Sequence, residues 1–290
     1  MRLLNTKTRK LEEFFGEAIP QYAILSHTWG ENEVTFKDIE RDGYQSGSVK
    51  IDGCLGRSER SPYVWIDTCC IDKSSSAELS EAINSMWSWY KKAGVCYVYL
   101  SDVPPGDVPA QKDSAFRKSR WFTRGWTLQE LIAPNHVAFY DSSWELIGRN
   151  VRFTNDFTFD RRLQGILAEI TGIPKEYLNG KEHITSASIA QRMSWAANRE
   201  TKRVEDIAYS LLGIFGVNMA MLYGEGTQAF KRLQEEIMKS SYDETIFAWG
   251  LSTRVQLNGF SLLASSPADF DGCGDLVPVA PKGIKSPTMY

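Results

Sequence analysis

The sequence has few of the residues that metal sites and disulfide scaffolds require. It contains only three histidines and five cysteines in 290 residues. An odd number of cysteines with no CxxC pair is untypical of a zinc site or a disulfide framework; they are Cys54, Cys69, Cys70, Cys96 and Cys273. A chain of this length can bury a large apolar core without cross-links, so we expect neither a structural metal nor disulfides.

Charge of one sign and long apolar runs are also scarce. The 33 lysines and arginines are offset by 36 aspartates and glutamates, and a formal net charge of −3 gives no electrostatic signature of nucleic-acid binding. The N-terminal MRLLNTKTRKLEEFF lacks the apolar core of a signal peptide. Residues 207–224 are uncharged, but their serine, glycines and asparagine favour a buried helix and a short apolar segment over a membrane span. We therefore expect a soluble protein of a reducing compartment, with no membrane span and no nucleic-acid partner.

Four short runs rich in β-branched and aromatic residues predict strands, at residues 22–26, 63–67, 95–100 and 137–140. Each run is almost uniformly apolar, which is typical of strands covered on both faces. Segments of helical length separate the runs, including one that begins with the capping-box pattern of Ser75 and Glu78 and one at residues 121–131. This alternation predicts an α/β fold in which a parallel, doubly wound sheet is flanked by helices.

The sequence changes character after Trp144. Amphipathic helices are predicted at residues 160–171, 186–198, 203–215 and 227–240, a short strand at 245–250, and a loose tail rich in Gly, Pro and Ser from residue 252. We therefore expect an α/β core over residues 1–150, a mainly helical extension over 151–250, and a tail or linker over 251–290.

Polar residues that follow the predicted strands are the first candidates for a functional site. Ser26, His27, Trp29 and Gly30 end or follow the first strand, and Asp67 ends the second. Ligands of doubly wound sheets bind beyond the carboxyl ends of the strands, so these residues should meet at one edge of the sheet. The alternative is ordinary turn chemistry, because Ser, Asp and Gly also serve turns and helix caps.

Arg124, Trp126 and Glu130 form the second candidate group. Trp126 and Glu130 are four residues apart, so on a helix they share a face. A carboxyl group beside an indole is partly desolvated, which raises its pKa and suits acid or base work. An indole face can also stack on a flat ring, and an arginine can bind a phosphate. The alternative is that Glu130 pairs with an arginine and the indoles fill the core.

Other reactive residues are interpreted as structural. The two adjacent cysteines, residues 69–70, are expected to be buried, inert thiols. Asp67, Asp72, Glu78 and Glu81 match no metal-binding loop, and Glu78 already has a capping role, so we expect no metal site. The charged stretch at residues 192–206 is interpreted as an ion network, and residues 223–226 as a turn before the next helix.

Three strings of residues resemble the signature blocks of the fungal heterokaryon incompatibility (HET) domain family. They are AILSHTWG at residues 23–30, WIDTCCIDK at 65–73 and RGWTLQEL at 124–131; RMSWAA at 192–197 and EDIAYSLLGIF at 205–215 are similar to the later half of the same domain. The resemblance implies a cytoplasmic protein of fungal non-self recognition whose domain triggers cell death. Many relatives carry a nucleotide-binding oligomerisation module after this domain, which implies that the chain is a fragment of a longer protein and self-associates on activation.

A remoter resemblance covers residues 22–141 and concerns the Toll/interleukin-1 receptor (TIR) domain, some members of which cleave NAD. WTLQE at residues 126–130 is similar to the TIR pattern Trp-x-x-x-Glu, in which the glutamate is catalytic, and VWID at 64–67 looks like the TIR second strand with its terminal aspartate. The resemblance implies a TIR-like (flavodoxin-like) sheet, NAD as the substrate, no tightly bound cofactor, and Glu130 as the catalytic residue. The residues implied to bind NAD are Ser26, His27, Trp29, Gly30, Asp67, Arg124 and Trp126.

The chemistry of NAD cleavage agrees with the residues present. Breaking the nicotinamide–ribose bond creates an oxocarbenium-like centre, which a nearby carboxylate stabilises or traps. Nicotinamide leaves as a neutral molecule, so a scarcity of histidine is no obstacle. Two alternatives stay open: a non-catalytic signalling module whose nine tryptophans serve partner interfaces, and a metal-dependent nuclease that uses Asp67 and Asp72.

Overall fold

A seven-stranded mixed sheet forms the centre of the first half of the chain. The computed structural model describes residues 1–58, 61–153, 161–251 and 261–278. The strands are β1 (Arg2–Asn5), β2 (Leu11–Glu13), β3 (Tyr22–His27), β4 (Tyr63–Ile66), β5 (Val95–Tyr99), β6 (His136–Tyr140) and β7 (Leu146–Val151). Their order across the sheet is β2-β1-β4-β3-β5-β6-β7.

The four central strands are parallel to one another and confirm the predicted α/β fold. β3 pairs in parallel with both β4 and β5, and β5 pairs in parallel with β6. Taken alone, these strands have the 2-1-3-4 order of flavodoxin-like sheets, in which chain direction across the sheet reverses beside the first strand. All four are the strands predicted from uniformly apolar runs, with bounds that differ by one residue.

The two edge strands, β2 and β7, and the inner strand β1 were not predicted from the sequence. β1 and β2 form an antiparallel hairpin that joins β4, and β7 runs antiparallel to β6. Most residues of β2 and β7 are partly exposed, and β7 contains Gly148 and Arg149, so neither strand has an apolar run. An edge strand has a neighbour on one side only and needs less apolar surface, which removes the signal.

Helices cover the sheet and build the second half. They are α1 (Phe36–Ile39), α2 (Val49–Arg57), α3 (Ser76–Lys92), α4 (Ala115–Lys118), α5 (Thr127–Ile132), α6 (Arg161–Thr171), α7 (Lys175–Leu178), α8 (Ile189–Ser194), α9 (Asp206–Tyr209), α10 (Leu212–Phe215) and α11 (Gln228–Ser240). Short 3-10 helices span Gly16–Ala18, Arg120–Thr123, Ile184–Ser186, Glu244–Phe247 and Pro267–Phe270. No helix of the described ranges is long and apolar enough to cross a membrane.

The cap of α3 has one of the two hydrogen bonds of the predicted capping box. Ser75 accepts a hydrogen bond from the backbone N–H of Glu78, as expected. The carboxylate of Glu78 does not return to Ser75; it accepts from the backbone N–H of Asp72 at 2.8 Å and also contacts Arg2. Glu78 therefore ties the loop after β4 to the N-terminal hairpin.

The single helix predicted at residues 121–131 is broken in two. A 3-10 turn ends at Thr123 and α5 begins at Thr127, because the chain between them pairs with the helical extension instead of continuing its own helix. The N–H of Gly125 donates to the carbonyl of Glu200 at 2.9 Å, and the N–H of Glu200 donates to the carbonyl of Thr123 at 2.7 Å. A Cβ at Gly125 would lie 2.5 Å from the methyl group of Thr201, so only glycine permits this approach.

The helical extension follows the prediction in outline. α6 and α11 confirm two predicted helices, α8 is shorter than predicted, and the segment at residues 203–215 is divided between α9 and α10. The strand predicted at residues 245–250 is wrong. Asp243 accepts a hydrogen bond from the N–H of Thr245 at 2.9 Å and starts a 3-10 helix there.

Part of the predicted tail packs on the helical extension. Phe270 and Cys273 are buried, and the side chain of Gln191 in α8 donates to the carbonyl of Gly274 at 2.9 Å. The rest of the predicted tail, residues 252–260 and 279–290, lies outside the described residues. The division into core, extension and tail stays a prediction.

The contact between α2 and the loop after β6 gives a test of the packing around the sheet. A Cβ at Gly53 would lie 2.1 Å from the ring of Trp144, whose indole N–H donates to the carbonyl of Val49 at 2.8 Å. We expect Gly53→Ala to lower the free energy of unfolding by about 1–3 kcal/mol through overpacking. Gly56 lies in the same helix and faces open space, so Gly56→Ala should raise stability by about 0.5–1 kcal/mol. Urea unfolding measures both, and equal effects would contradict the packing described.

Candidate functional site

A cavity of about 300 Å³ lies at the carboxyl ends of the parallel strands, between the α/β core and the helical extension. Residues that end or follow β3 and β4 line one part of it, apolar residues of α3 line another, and residues of α5 and of the segment 202–223 complete it. The position is the one expected for ligands of this sheet type, beside the first strand at the reversal of chain direction. Its volume is at the lower end of the range of small-molecule sites.

Glu130 is an acidic residue that lines the cavity. Its side chain is fixed by Ser26 of β3 and, through Ser26, by Trp121 of the 3-10 turn before α5. Glu130 lies in the first turn of α5 and is 8% exposed. Its carboxylate accepts a hydrogen bond from the hydroxyl of Ser26, and that hydroxyl accepts one from the indole N–H of Trp121 at 2.7 Å. Trp121 is fully buried. Ser26 therefore lies behind the cavity wall and fixes the carboxyl group, while Glu130 itself faces the cavity.

The pKa of Glu130 is raised to about 8, chiefly because the carboxyl group is buried. The negative charge of Asp67 adds to the increase, whereas hydrogen bonds from Ser26 and Tyr90 and the positive charge of Arg199 oppose it. Within the described ranges no Lys, Arg or His nitrogen lies within 4 Å of this carboxylate. Within the described residues, Glu130 therefore forms no ion pair with an arginine, contrary to the alternative considered from the sequence.

A second wall of the cavity combines an indole, a carboxylate and an ammonium group. The indole N–H of Trp29 donates to Asp67 at 2.8 Å, and the amine of Lys73 lies 3.4 Å from the centre of the Trp29 ring and 3.7 Å from Asp67. Trp29 is still 41% exposed, so part of its ring surface is available to a ligand. Lys73 was missed by sequence reasoning, although it closes the second of the three signature-like strings.

His27 also lines the cavity, next to this wall, and neither of its ring nitrogens has a hydrogen-bond partner. Its Nδ1 is 4.0 Å from Asp67, and its Nε2 is 3.5 Å from Glu33. Burial disfavours ionisation of Glu33, but its contacts with His27, the N–H of Gly30 and Lys50 outweigh burial and lower its pKa to about 2. Gly30 does not line the cavity. Its N–H donates a hydrogen bond to Glu33 within the loop at 2.7 Å, so this N–H is not available to a ligand.

The helical extension supplies the remaining wall, which sequence reasoning interpreted as an ion network and a turn. The hydroxyl of Tyr223 donates to Asp206 at 2.9 Å, and the guanidinium of Arg203 lies 4.4 Å from the centre of the Tyr223 ring. The turn is as predicted: Glu205 accepts hydrogen bonds from the N–H groups of Gly224 at 2.7 Å and Gly226 at 3.1 Å. By fixing the turn, Glu205 holds Tyr223 in the cavity wall.

Asp206 also joins this wall to α5. Burial raises the pKa of Asp206, while its hydrogen bonds with Tyr223 and with the indole of Trp126 oppose the increase. Trp126 and Glu130, four residues apart, both line the cavity, as their helical spacing predicted. The wall residues from the extension were missed because they are distant in sequence and no local pattern links them to α5.

Three cations line the cavity without an ion pair. Arg124, Lys202 and Arg203 have no carboxylate oxygen within 4 Å among the residues that the structure describes. Charged side chains that face a cavity without counter-ions are available to an anionic ligand. The cavity thus combines a protonatable carboxyl group, two tryptophan rings and three cations outside direct ion pairs, of which Arg203 also interacts electrostatically with Glu205 and Asp206.

Other candidate residues have structural roles. Asp72 does not line the cavity; it caps the following turn by accepting from the N–H of Ser74 at 2.9 Å. Cys69 and Cys70 are buried and free, as predicted, and the contact with Cys70 together with burial raises the pKa of Cys69. Across the described ranges no three His, Cys, Asp or Glu side chains are grouped as metal ligands.

Comparison with known proteins adds sequence relationships to this geometry. Residues 22–112 match the family model described as heterokaryon incompatibility protein (HET), and residues 228–259 match a domain of unknown function, DUF8212. The chain is 45% identical over 256 residues to the vegetative incompatibility protein HET-E-1 of Podospora anserina. That match covers 82% of this chain but only 18% of the relative, so the chain spans under a fifth of that protein's length. No solved structure matches the chain, and the resemblance to the TIR domain stays a prediction.

The buried carboxyl group of Glu130 predicts a measurable dependence of stability on pH. Its pKa in the folded protein, about 8, is above the unfolded value of 4.5, so the folded state holds more protons between these values and loses stability as pH rises through 8. Glu130→Gln removes this loss. At 1.4 kcal/mol per pKa unit, we expect the variant to be about 5 kcal/mol more stable than the parent at pH 9 and little different at pH 5.

Denaturant unfolding at a series of pH values measures this difference. Glu235→Gln, at an exposed position of α11, is the matched control and should change stability by the same small amount at every pH. A parallel pH dependence in the parent and Glu130→Gln would contradict the burial of a titrating carboxyl group.

Proposed function

The chain belongs to the heterokaryon incompatibility (HET) family, and from that premise we propose that it is a cell-death effector domain of fungal non-self recognition that acts by hydrolysing NAD. The proposal includes a cytoplasmic location, activation by self-association, and a downstream oligomerisation module in the full-length protein. The length of the relative leaves room for such a module, since the match covers 18% of it.

The observation that carries the proposal is that Glu130 and three cations without ion pairs line the same cavity. NAD has a positively charged nicotinamide ring, a diphosphate and two flat ring systems. A carboxylate suits the positive ring and its ribose, while Arg124, Lys202 and Arg203 suit the diphosphate. The ring faces of Trp29 and Trp126 are available for stacking.

The reaction requires Glu130 to lose its proton. In the empty cavity at neutral pH the carboxyl group is largely protonated, because its pKa is about 8. The positive charge of the nicotinamide ring favours the ionised form, so binding of NAD releases the proton. The hydroxyl of Ser26, itself fixed by Trp121, then holds the carboxylate in place.

The carboxylate stabilises the charge that develops when the bond between nicotinamide nitrogen and ribose breaks. The electron pair of that bond goes to the nitrogen, and nicotinamide leaves neutral. Water adds to the ribose carbon and gives up a proton, which Glu130 can accept. The products are nicotinamide, ADP-ribose and one proton, so atoms and charge balance without a cofactor.

A second candidate function is a non-catalytic signalling module. It is favoured by large apolar side chains that stay exposed on the described surface, such as Phe15 at 71% and Leu262 at 71%. Exposed apolar side chains of this kind serve partner interfaces. This function makes no use of the buried carboxyl group of Glu130, and the two candidates differ in that respect.

Nicotinamide release by the domain, clustered through a fused oligomeriser, tests the proposed reaction. We expect Glu130→Gln to lower kcat/KM at least a hundredfold with the fold intact, because the stabilising charge is lost. In the parent, kcat/KM should rise with pH and level off above about 8, where Glu130 is ionised. If Glu130→Gln kills cells as well as the parent, signalling does not depend on catalysis and the module function is favoured.

Binding of ADP-ribose tests the role of the unpaired cations without catalysis. Lys202→Ala and Arg203→Ala should each weaken binding about tenfold in calorimetric titrations, because each removes a charged donor for the diphosphate. Lys112→Ala, at an exposed loop position outside the cavity, is the matched control and should leave the affinity unchanged. Equal affinities for all four proteins would show that the diphosphate does not lie at this wall.

A further inference from the structure

We propose that Arg199, a residue of the helical extension, is the positioning residue that clamps the start of α5 and supplies the interior positive charge that lets Glu130 ionise. Sequence reasoning placed Arg199 in a charged stretch interpreted as an ion network. The inference rests on the proposed function, because the proposed reaction requires the buried carboxyl group of Glu130 to ionise. Its test needs no NAD.

Arg199 is buried and holds the residues on which α5 begins. It is 6% exposed, and its Nη1 donates to the carbonyl of Arg124 and to the hydroxyl of Thr127, both at 2.9 Å. Its Nε donates to the carbonyl of Trp195 at 3.2 Å. One planar guanidinium thus connects the end of α8 with Arg124, three residues before the start of α5, and with Thr127, the first residue of that helix.

The backbone beside Arg199 reinforces the clamp. Glu200 pairs with the chain on both sides of Arg124, through the carbonyl of Thr123 and the N–H of Gly125. Thr201 packs on Gly125 too closely for any other residue at that position. A shift of this segment of the extension therefore moves the start of α5, three residues before Glu130.

The charge of Arg199 is not cancelled by an ion pair. Its Nη2 is buried with no hydrogen-bond partner, and no carboxylate oxygen lies within 4 Å in the part of the chain that the structure describes. A buried cation without an ion pair is destabilising, so its hydrogen bonds offset the cost of burying the charge only in part. Burial lowers the pKa of Arg199 to about 9, and the charge of Glu130 is the interaction that opposes this decrease.

Arg199 is a buried cation that favours the ionised form of Glu130 from the protein interior, in addition to the cations that line the cavity. Ser26 of β3 and Tyr90 of α3 contribute neutral hydroxyl groups, and Asp67, after β4, contributes a negative charge that disfavours ionisation. Without Arg199, the ionised form of Glu130 would face burial and a neighbouring carboxylate with two hydrogen bonds and the cations that line the cavity in its favour.

The titration of Glu130, followed by carbon-13 NMR of glutamate-labelled protein, tests this inference. The resonance is assigned by its absence in Glu130→Gln. We expect the midpoint to move measurably upward in Arg199→Gln and by a smaller amount in Arg199→Lys, because a buried ammonium keeps its charge only in part and cannot reproduce the guanidinium contacts. Nicotinamide release should need a correspondingly higher pH in both variants.

Arg192→Gln is the matched control for loss of a buried arginine. Arg192 belongs to α8, donates to the carbonyl of Ile214 at 3.0 Å and packs on Phe215, away from Glu130. Its removal should lower stability and leave the Glu130 midpoint where it is in the parent. A purely structural role for Arg199 would give this same pattern in Arg199→Gln.

An unchanged midpoint in Arg199→Gln would overturn the inference. Should that variant not fold, Arg199→Met, which also removes the charge, takes its place, and an unchanged midpoint there has the same meaning. The proposed function fails separately: if the midpoint moves but the parent releases no nicotinamide, Arg199 controls the charge of Glu130 and the reaction assigned to the cavity is wrong.

Discussion

The structure depends on one hydrogen bond between residues that are 104 positions apart, from the hydroxyl of Ser26 to the carboxylate of Glu130. It joins the end of the central strand to the helix that faces it, at the edge where a flavodoxin-like sheet binds ligands. The indole of Trp121 fixes the hydroxyl from the other side. Because all three side chains are buried, the carboxyl group has one well-defined position and an ionisation that its surroundings control.

The cavity lies at the boundary between the two halves of the chain and depends on both. The cavity is not a property of the α/β core alone, since Arg203, Asp206 and Tyr223 form one of its walls. The start of α5 is likewise held from the extension, by Arg199 and by the backbone of Glu200. Core and extension therefore build one site, and any movement between them changes both the cavity and the position of Glu130. The activation by self-association that we propose would act through this coupling.

Features of the fold that depend on a local sequence pattern could be predicted. The four parallel strands were found because burial on both faces leaves an uninterrupted apolar run, and the shared face of Trp126 and Glu130 follows from helical spacing. The edge strands escaped because they are half-exposed. The role of Arg199 was missed because two of its partners, the carbonyl of Arg124 and the hydroxyl of Thr127, are distant in sequence. The break before α5 likewise arises from a distant contact, the backbone pairing of Gly125 with Glu200. Long-range contacts of this kind leave no mark on a single segment of sequence.

The most direct measurement of the central claim is a crystal structure of Glu130→Gln with NAD, since a variant without turnover keeps the substrate intact. The account predicts NAD in the cavity, with the ribose carbon that bears nicotinamide within about 3.5 Å of the side chain at position 130 and the diphosphate against Arg124, Lys202 and Arg203. An empty cavity at saturating NAD, or NAD bound with its nicotinamide ribose away from position 130, would contradict it.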